Sequence, residues 1–262
     1  MKPLYGEPRA AQGEPGAARA DRLPDAPPDL PDLYFPEADM VLFDPEKHLS
    51  PLSLVQGAND AFLPLARAAR VNPGLVLIPG DEDCKALWER YSMPEHIRDH
   101  SARVAEMAEA LVRRAVVLGM KVNVEAVRAA GLLHDLGKAW SISRGGNHAQ
   151  LGAAWVMRET RNAPIARAVL FHVFWPFPEK CDEAHFMIAA VIYADKRTLH
   201  DGFVSLEDRH ADLLERYGVN EAARGRIQAA HMQGVRIEEN LSRRLGLELH
   251  DHVPEQGRLV LR

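Results

Sequence analysis

Only two cysteines occur in the 262-residue chain, Cys84 and Cys181, and neither belongs to a CxxC pair or a zinc-type spacing. That gives no zinc-type site, and a reduced pair in the cytoplasm is expected, with a single disulfide between them as the alternative. No stretch approaches 18 consecutive apolar residues, so no membrane span is expected. Lys2 has no apolar segment behind it, which argues against a secretory signal. The formal net charge of −5 supplies no basic patch of the kind a nucleic-acid polymer needs. GxSxG, HExxH and GxGxxG are all missing. Gly131 to Lys138 superficially matches a phosphate-binding loop. It has five residues between its glycines where four are needed, and Ala139 stands where Ser or Thr would bind magnesium. A soluble cytoplasmic protein with neither a membrane nor a nucleic-acid polymer as partner is expected.

What is present is uneven along the chain. Residues 1–36 hold eight of the 18 prolines and no apolar periodicity. Such a segment buries too little surface to offset its ordering entropy, so it reads as a disordered tail or an extended arm, the latter a route to a homo-oligomer. Residues 37–92 form a mixed, mostly helical extension. Within it Asp60–Arg70 and Asp81–Tyr91 read as helices. The short runs Met40–Phe43 and Leu75–Ile78 read as strand or buried helix alike.

From Met93 onward the pattern is helical throughout, with a core unit over 93–200 and packing helices and a tail over 201–262. Pro94 opens a helix whose stripe runs Val104, Met107, Ala108, Leu111, Val112 and Ala115. Asn123 and Asn147 are placed to cap the next two helices, and Pro164 opens another that Pro176 and Pro178 stop. Cys181–Leu199, Ser205–Tyr217 and Asn220–Leu245 read as helices, and Gly257–Arg262 as a short strand. The fold class is therefore all-α, a helical bundle with a partly irregular N-terminal extension.

Five polar residues occupy the apolar stripes of their own helices: His100, His134, His148, His172 and Asp195. Asp135 follows His134, about 100° further round an ideal helix, within reach of the same cavity. A carboxylate on a core-facing stripe is costly unless paired or metal-bound. One inward histidine is more often a satisfied core residue than a ligand. Several helices each delivering one are harder to explain that way, because no comparable set of inward cations exists. Divalent transition metals satisfy all of them at once, since imidazole and carboxylate suit iron, manganese, nickel or zinc. His96 reads equally as an exposed helix residue or a group beside the ligands or substrate, His185 as too remote, His200, His210 and His231 as solvated, and His250-Asp251-His252 as part of a flexible chain end.

These residues also carry a resemblance. His100-Ser-Ala-Arg-Val104-Ala, Leu132-Leu-His-Asp-Leu-Gly-Lys138, His148-Ala-Gln-Leu-Gly152-Ala, His172 and Tyr193-Ala-Asp195, in that order, resemble the HD-domain superfamily of metal-dependent phosphohydrolases. The series is similar in particular to the HD hydrolases that split dinucleoside polyphosphates. It spans about residues 93–200. The resemblance implies a helical bundle around two divalent ions, iron or manganese ahead of nickel or zinc. His100, His134 and Asp195 would hold one ion, His148 and His172 the other, and Asp135 would bridge them.

The same resemblance implies the chemistry: a metal-activated water attacks a nucleotide or small phosphate ester, with Asp135 and Lys138 as catalytic residues. Lys138 would face a substrate phosphate, and Arg144 and Arg197 are weaker phosphate candidates. An HD-fold di-iron oxygenase shares the six-ligand series and is the main alternative, with a catalytically silent signalling or scaffold module as a third. His200-Asp-Gly-Phe203 is not the GYP element of HD enzymes that act on cyclic dinucleotides.

Overall fold

Side-chain caps set the helix starts almost wherever the sequence offers one. Asn123, Asn147, Asn162, Ser205 and Asn220 each accept a backbone N–H from the first turn that follows, at 2.7–3.1 Å. Each such cap is worth about 1 kcal/mol over alanine. The computed structural model describes residues 76–200 and 202–261. The expected arm over 1–36, the Met40–Phe43 run and the Asp60–Arg70 helix lie outside the described residues, as does Leu75.

Nine α-helices occur among the described residues: α1 (Asp81–Arg90), α2 (Glu95–Val117), α3 (Val124–Leu133), α4 (Lys138–Arg144), α5 (His148–Thr160), α6 (Ala163–Phe171), α7 (Phe186–Lys196), α8 (Leu206–Tyr217) and α9 (Glu221–Leu245). The described residues are thus mostly helical, as the pattern predicts. Two short antiparallel pairs complete it. Strand β1 (Thr198–Leu199) pairs with β2 (Gly202–Phe203), and β3 (His252–Glu255) pairs with β4 (Arg258–Leu261), His252 opposite Leu261. None of the helices is long and apolar enough to cross a membrane.

Helix α2 is the spine. Its predicted stripe is buried in full, and it packs on α3 and α7, while α6 joins α3, α5 and α7. Burying each Leu or Val of that stripe contributes roughly 1.5–3 kcal/mol. Close backbone approach is what brings ligand-bearing segments together. A Cβ on Gly131 would lie 2.6 Å from Ala105 Cα, so only glycine lets α3 sit this tightly on α2. A Cβ on Gly137 would lie 2.4 Å from the His148 carbonyl oxygen, so glycine also lets the turn after α3 press on the start of α5.

Several expectations are corrected. Val76–Ile78 form neither strand nor helix; Leu77 is tethered by its N–H to Thr160 O (2.9 Å) and by its carbonyl to Asn162 Nδ2 (3.1 Å). Helix α6 ends at Phe171, before either proline. Cys181–His185 is a turn: Asp182 Oδ1 accepts from both the backbone N–H (3.1 Å) and the Nδ1–H (2.6 Å) of His185, which delays α7 to Phe186. The expected short strand near the chain end is present as β4 (Arg258–Leu261), but it pairs in a hairpin packed on α2, so His250–His252 belongs to ordered structure and not to a flexible end. Cys84 and Cys181 are both free thiols, as expected.

Candidate metal centre

Two of the inward histidines stand at helix ends. Helix α3 stops at Leu133 and His134 caps it; α6 stops at Phe171 and His172 caps it. Each ring donates its Nδ1–H to the carbonyl three residues back, His134 to Gly131 (2.8 Å) and His172 to Val169 (2.7 Å). The carbonyl fixes the tautomer, leaving the Nε2 lone pair aimed away from the helix end. Asp135 therefore sits in a turn, not on a continuing helix as its spacing from His134 implied.

The six predicted residues converge. His100 Nε2 lies 3.1 Å from Asp195 Oδ1, and His134 Nε2 lies 3.8 Å from that same oxygen. Asp135 divides its carboxylate: Oδ2 is 3.4 Å from His134 Nε2, while Oδ1 is 3.4 Å from His148 Nε2 and 3.6 Å from His172 Nε2. His148 Nε2 and His172 Nε2 are 3.1 Å apart. Among the described residues, the donor atoms of His100, His134 and Asp195 lie within 4.8 Å of one another, as do those of His134, Asp135 and His172.

The chemistry of this donor set fits metal ions. His134 Nε2 and Asp135 Oδ1 are buried without a hydrogen-bond partner, an arrangement that costs about 1–3 kcal/mol per atom unless something else satisfies it. Because His172 Nε2 carries a lone pair, the facing His148 Nε2 needs either a proton or a shared cation between them. Separations near 3 Å also suit neighbouring ligands on an ion with bonds of about 2.1 Å.

Electrostatics favour neutral His148 and His100 and ionised aspartates, whereas Asp135 and Asp195 raise His134 against the effect of its burial. Burial pushes the His148 imidazole down to about 3, so it is neutral at neutral pH. Burial also lowers His100, against the opposing pull of Asp195. Burial alone would raise Asp135, but the Lys138 ammonium and His134 hold its carboxyl well below the usual range. Asp195 is likewise held low against burial by His100 and His134, with a further contribution from Arg209.

Lys138 is at this site, its ammonium 2.6 Å from Asp135 Oδ2 and a quarter exposed. It opens α4, so the helix-end dipole near it is the positive N-terminal one. Arg144 is exposed and stacks on the Trp140 ring at 4.0 Å, with no contact to the cluster. Arg197 is not a phosphate group's partner either. It is fully buried and donates to Tyr193 Oη and to the carbonyls of Val204 (2.5 Å), Leu249 (2.9 Å) and His252 (3.2 Å). Of the other histidines, His210 stacks on His231 at 4.2 Å, and His185 pairs with Asp182.

Two residues beside the centre escaped the sequence reading. Buried Lys196 follows Asp195 and donates to Val173 O (3.1 Å), tying the end of α7 to the segment after His172. Arg209 of α8 acts on the Asp195 carboxylate. The Lys196 signal was its place next to an inward aspartate; Arg209 had none, because its approach depends on how α8 returns.

Residues 97–213 match the family model described as the HD domain. The chain is 31% identical over 121 residues to a ribonuclease Y of Opitutus terrae, which covers 46% of this chain and 21% of the relative. It is 33% identical over 125 residues to a ribonuclease Y of Chloroflexus aurantiacus, 48% of this chain and 22% of the relative. The match therefore spans about a fifth of the length of these relatives. No solved structure matches.

Proposed function

With an HD domain at residues 97–213 as the premise, we propose that this chain is a metal-dependent phosphohydrolase with a two-ion site acting on a phosphate ester. The supporting observation is Asp135, whose two carboxylate oxygens face two different groups of imidazoles. In this reading His100, His134 and Asp195 hold one ion, His148 and His172 the other, and Asp135 spans both. Nitrogen and carboxylate donors suit iron or manganese, then nickel or zinc. Ions held there would supply acidification of a water and charge compensation at a phosphoryl group.

The chain's own part is to hold and orient. Gly131 O and Val169 O lock two rings, Asp135 stays ionised, and Asp195 is steadied by His100 and Arg209. Lys138, partly exposed at the edge, can swing from Asp135 to a phosphate oxygen and hold it in line. The substrate is a nucleotide or other small phosphate ester. A second reading, an RNA phosphodiester, is favoured by the ribonuclease relatives.

Metal analysis of the purified chain, with phosphate release from a nucleotide panel and cleavage of a short RNA, tests both readings. About two ions per chain and metal-dependent ester cleavage are expected. Oxygen consumption without ester cleavage would move the chain to the oxygenase alternative.

A further inference from the structure

Arg209 stands on the inner face of α8, one turn after buried Leu206. That face lies against the end of α7. A Cβ on Gly234 of α9 would meet Lys196 Cδ at 2.8 Å and Leu206 Cδ2 at 3.7 Å. The Val204 N–H, just before α8, donates to Arg197 O at 2.9 Å. The Asp195 carboxylate and the Lys196 ammonium both feel the Arg209 charge. Arg209 is thus to Asp195 what Lys138 is to Asp135, a cation beside each inward aspartate.

Half of its hydrogen-bonding capacity is unused. Nη1 donates to Asp212 Oδ2 at 2.9 Å, Nε is buried without an acceptor, and Nη2 has none among the described residues. Nε–H and Nη2–H form the lateral edge of the guanidinium, two parallel donors spaced for two oxygens of one anion. Leaving a buried donor unanswered costs about 1–3 kcal/mol. Asp212 does not cancel the Arg209 charge, because its other oxygen accepts from Arg216 Nε at 2.8 Å. Asp195 and Asp212 are therefore set against Lys196, Arg209 and Arg216, two negative charges against three positive. An ion held by Asp195 would enlarge that excess, and an anion between the ion and the guanidinium relieves the repulsion. The Asp195 and Arg209 side chains are 17% and 14% exposed, so such an anion can arrive from solvent and meet Nη2 first.

We propose that Arg209 is a substrate-binding residue of the metal centre, its lateral edge donating to non-bridging oxygens of the substrate phosphate on the Asp195 side while Lys138 serves the Asp135 side. This rests on the phosphohydrolase reading. It adds a phosphate contact from α8, beyond the residues 93–200 expected to carry the site.

Calorimetric titration of the metal-loaded full chain with inorganic phosphate tests it, beside metal analysis and a thermal melt of each variant. Arg209→Gln should weaken phosphate binding about ten- to a hundredfold, the loss of a charge-assisted pair of hydrogen bonds. It should hold metal no less tightly than wild type, because Asp195 keeps His100 and His134 and the variant lacks a charge that repels the ion. Arg209→Lys keeps the charge without the fork and should fall between the two, which reads the proposal even if Arg209→Gln does not fold. Arg216→Gln leaves the lateral edge of Arg209 in place and should bind phosphate within about threefold of wild type. Wild-type phosphate affinity in either Arg209 variant would overturn this proposal alone. A loss that disappears at saturating metal would overturn it too, since a residue that only steadies Asp195 behaves that way. No phosphate binding by the metal-loaded wild type would overturn the phosphohydrolase reading with it.

Discussion

His134 and His172 close the C-termini of two different helices in the same manner, each donating Nδ1–H to the carbonyl three residues back and presenting Nε2 to Asp135. The backbone, not a neighbouring carboxylate, orients both rings. Histidine there satisfies a helix-end carbonyl as well as offering a lone pair, so the two rings stay aligned with or without metal.

Asp135→Ala should lower bound metal from about two ions per chain toward one or none and abolish turnover, since in the two-ion reading this residue serves both ions and damps their mutual repulsion. Metal analysis and phosphate release measure this. Full metal content with normal turnover would sink the two-ion model.

Lys138→Met keeps the aliphatic stem and removes the ammonium 2.6 Å from Asp135. Metal content should hold, while turnover of phosphorylated substrates drops by one to three orders of magnitude, roughly the loss of one transition-state contact. Unchanged kinetics across phosphate esters would show that this lysine does no more than neutralise Asp135.

His148→Ala separates ligand from packing residue more cleanly than His172→Ala. The His148 side chain is 27% exposed and His172 is almost wholly buried, with a helix-end carbonyl depending on it. Apo His148→Ala should melt within a few degrees of apo wild type, whereas holo wild type melts well above the holo variant. His172→Ala should lose stability in both forms. Equal losses for His148→Ala with and without metal would reduce it to packing.

Arg197→Ala should cost about 3 kcal/mol, because it strands the buried carbonyls of Val204, Leu249 and His252. A thermal melt reads this as a drop of several degrees, and KM for phosphate substrates should not move in the protein that remains folded. A large rise in KM without loss of stability would restore Arg197 as a phosphate ligand.

Alkaline pH should destabilise the fold. Burial pushes both thiols, Cys84 and Cys181, up to about 12, and raises the Tyr91 and Tyr193 hydroxyls. Unfolded, these groups lose protons from about pH 9 or 10 upward while the folded chain keeps them, so stability falls as pH rises, by up to about 1.4 kcal/mol per unit for each group. Urea midpoints at pH 8 and pH 10.5 check it, and Cys84→Ala should flatten the slope. A flat profile in the wild type contradicts the burial of these groups.

The helices from Met93 onward were legible because caps and apolar stripes are local: Asn123, Asn147 and Ser205 do what their sequence positions imply. The convergence of these histidines and aspartates was legible for a related reason, since inward polar residues stand out against an apolar face. What failed depended on distant partners. Arg197 followed an inward aspartate and looked like an open-site cation, yet its acceptors lie 52 and 55 residues away in a segment read as a loose tail. The turn at Asp135 was hidden as well, because His134 caps α3 with its side chain and leaves no glycine or proline at the break. Asp182 hid the late start of α7 by holding His185 with a contact that helical periodicity does not register.

The Arg197 staple bears on the order in which the molecule can be made. The residue sits two positions after Asp195, so the end of α7 that carries this aspartate depends on carbonyls supplied by Leu249 and His252. A nascent chain that has reached only α8 must either keep that guanidinium in water or bury it with donors unanswered, at a cost of several kcal/mol. The Asp195 side of the centre therefore matures after translation has passed His252, while the His134 turn can settle much earlier on α2.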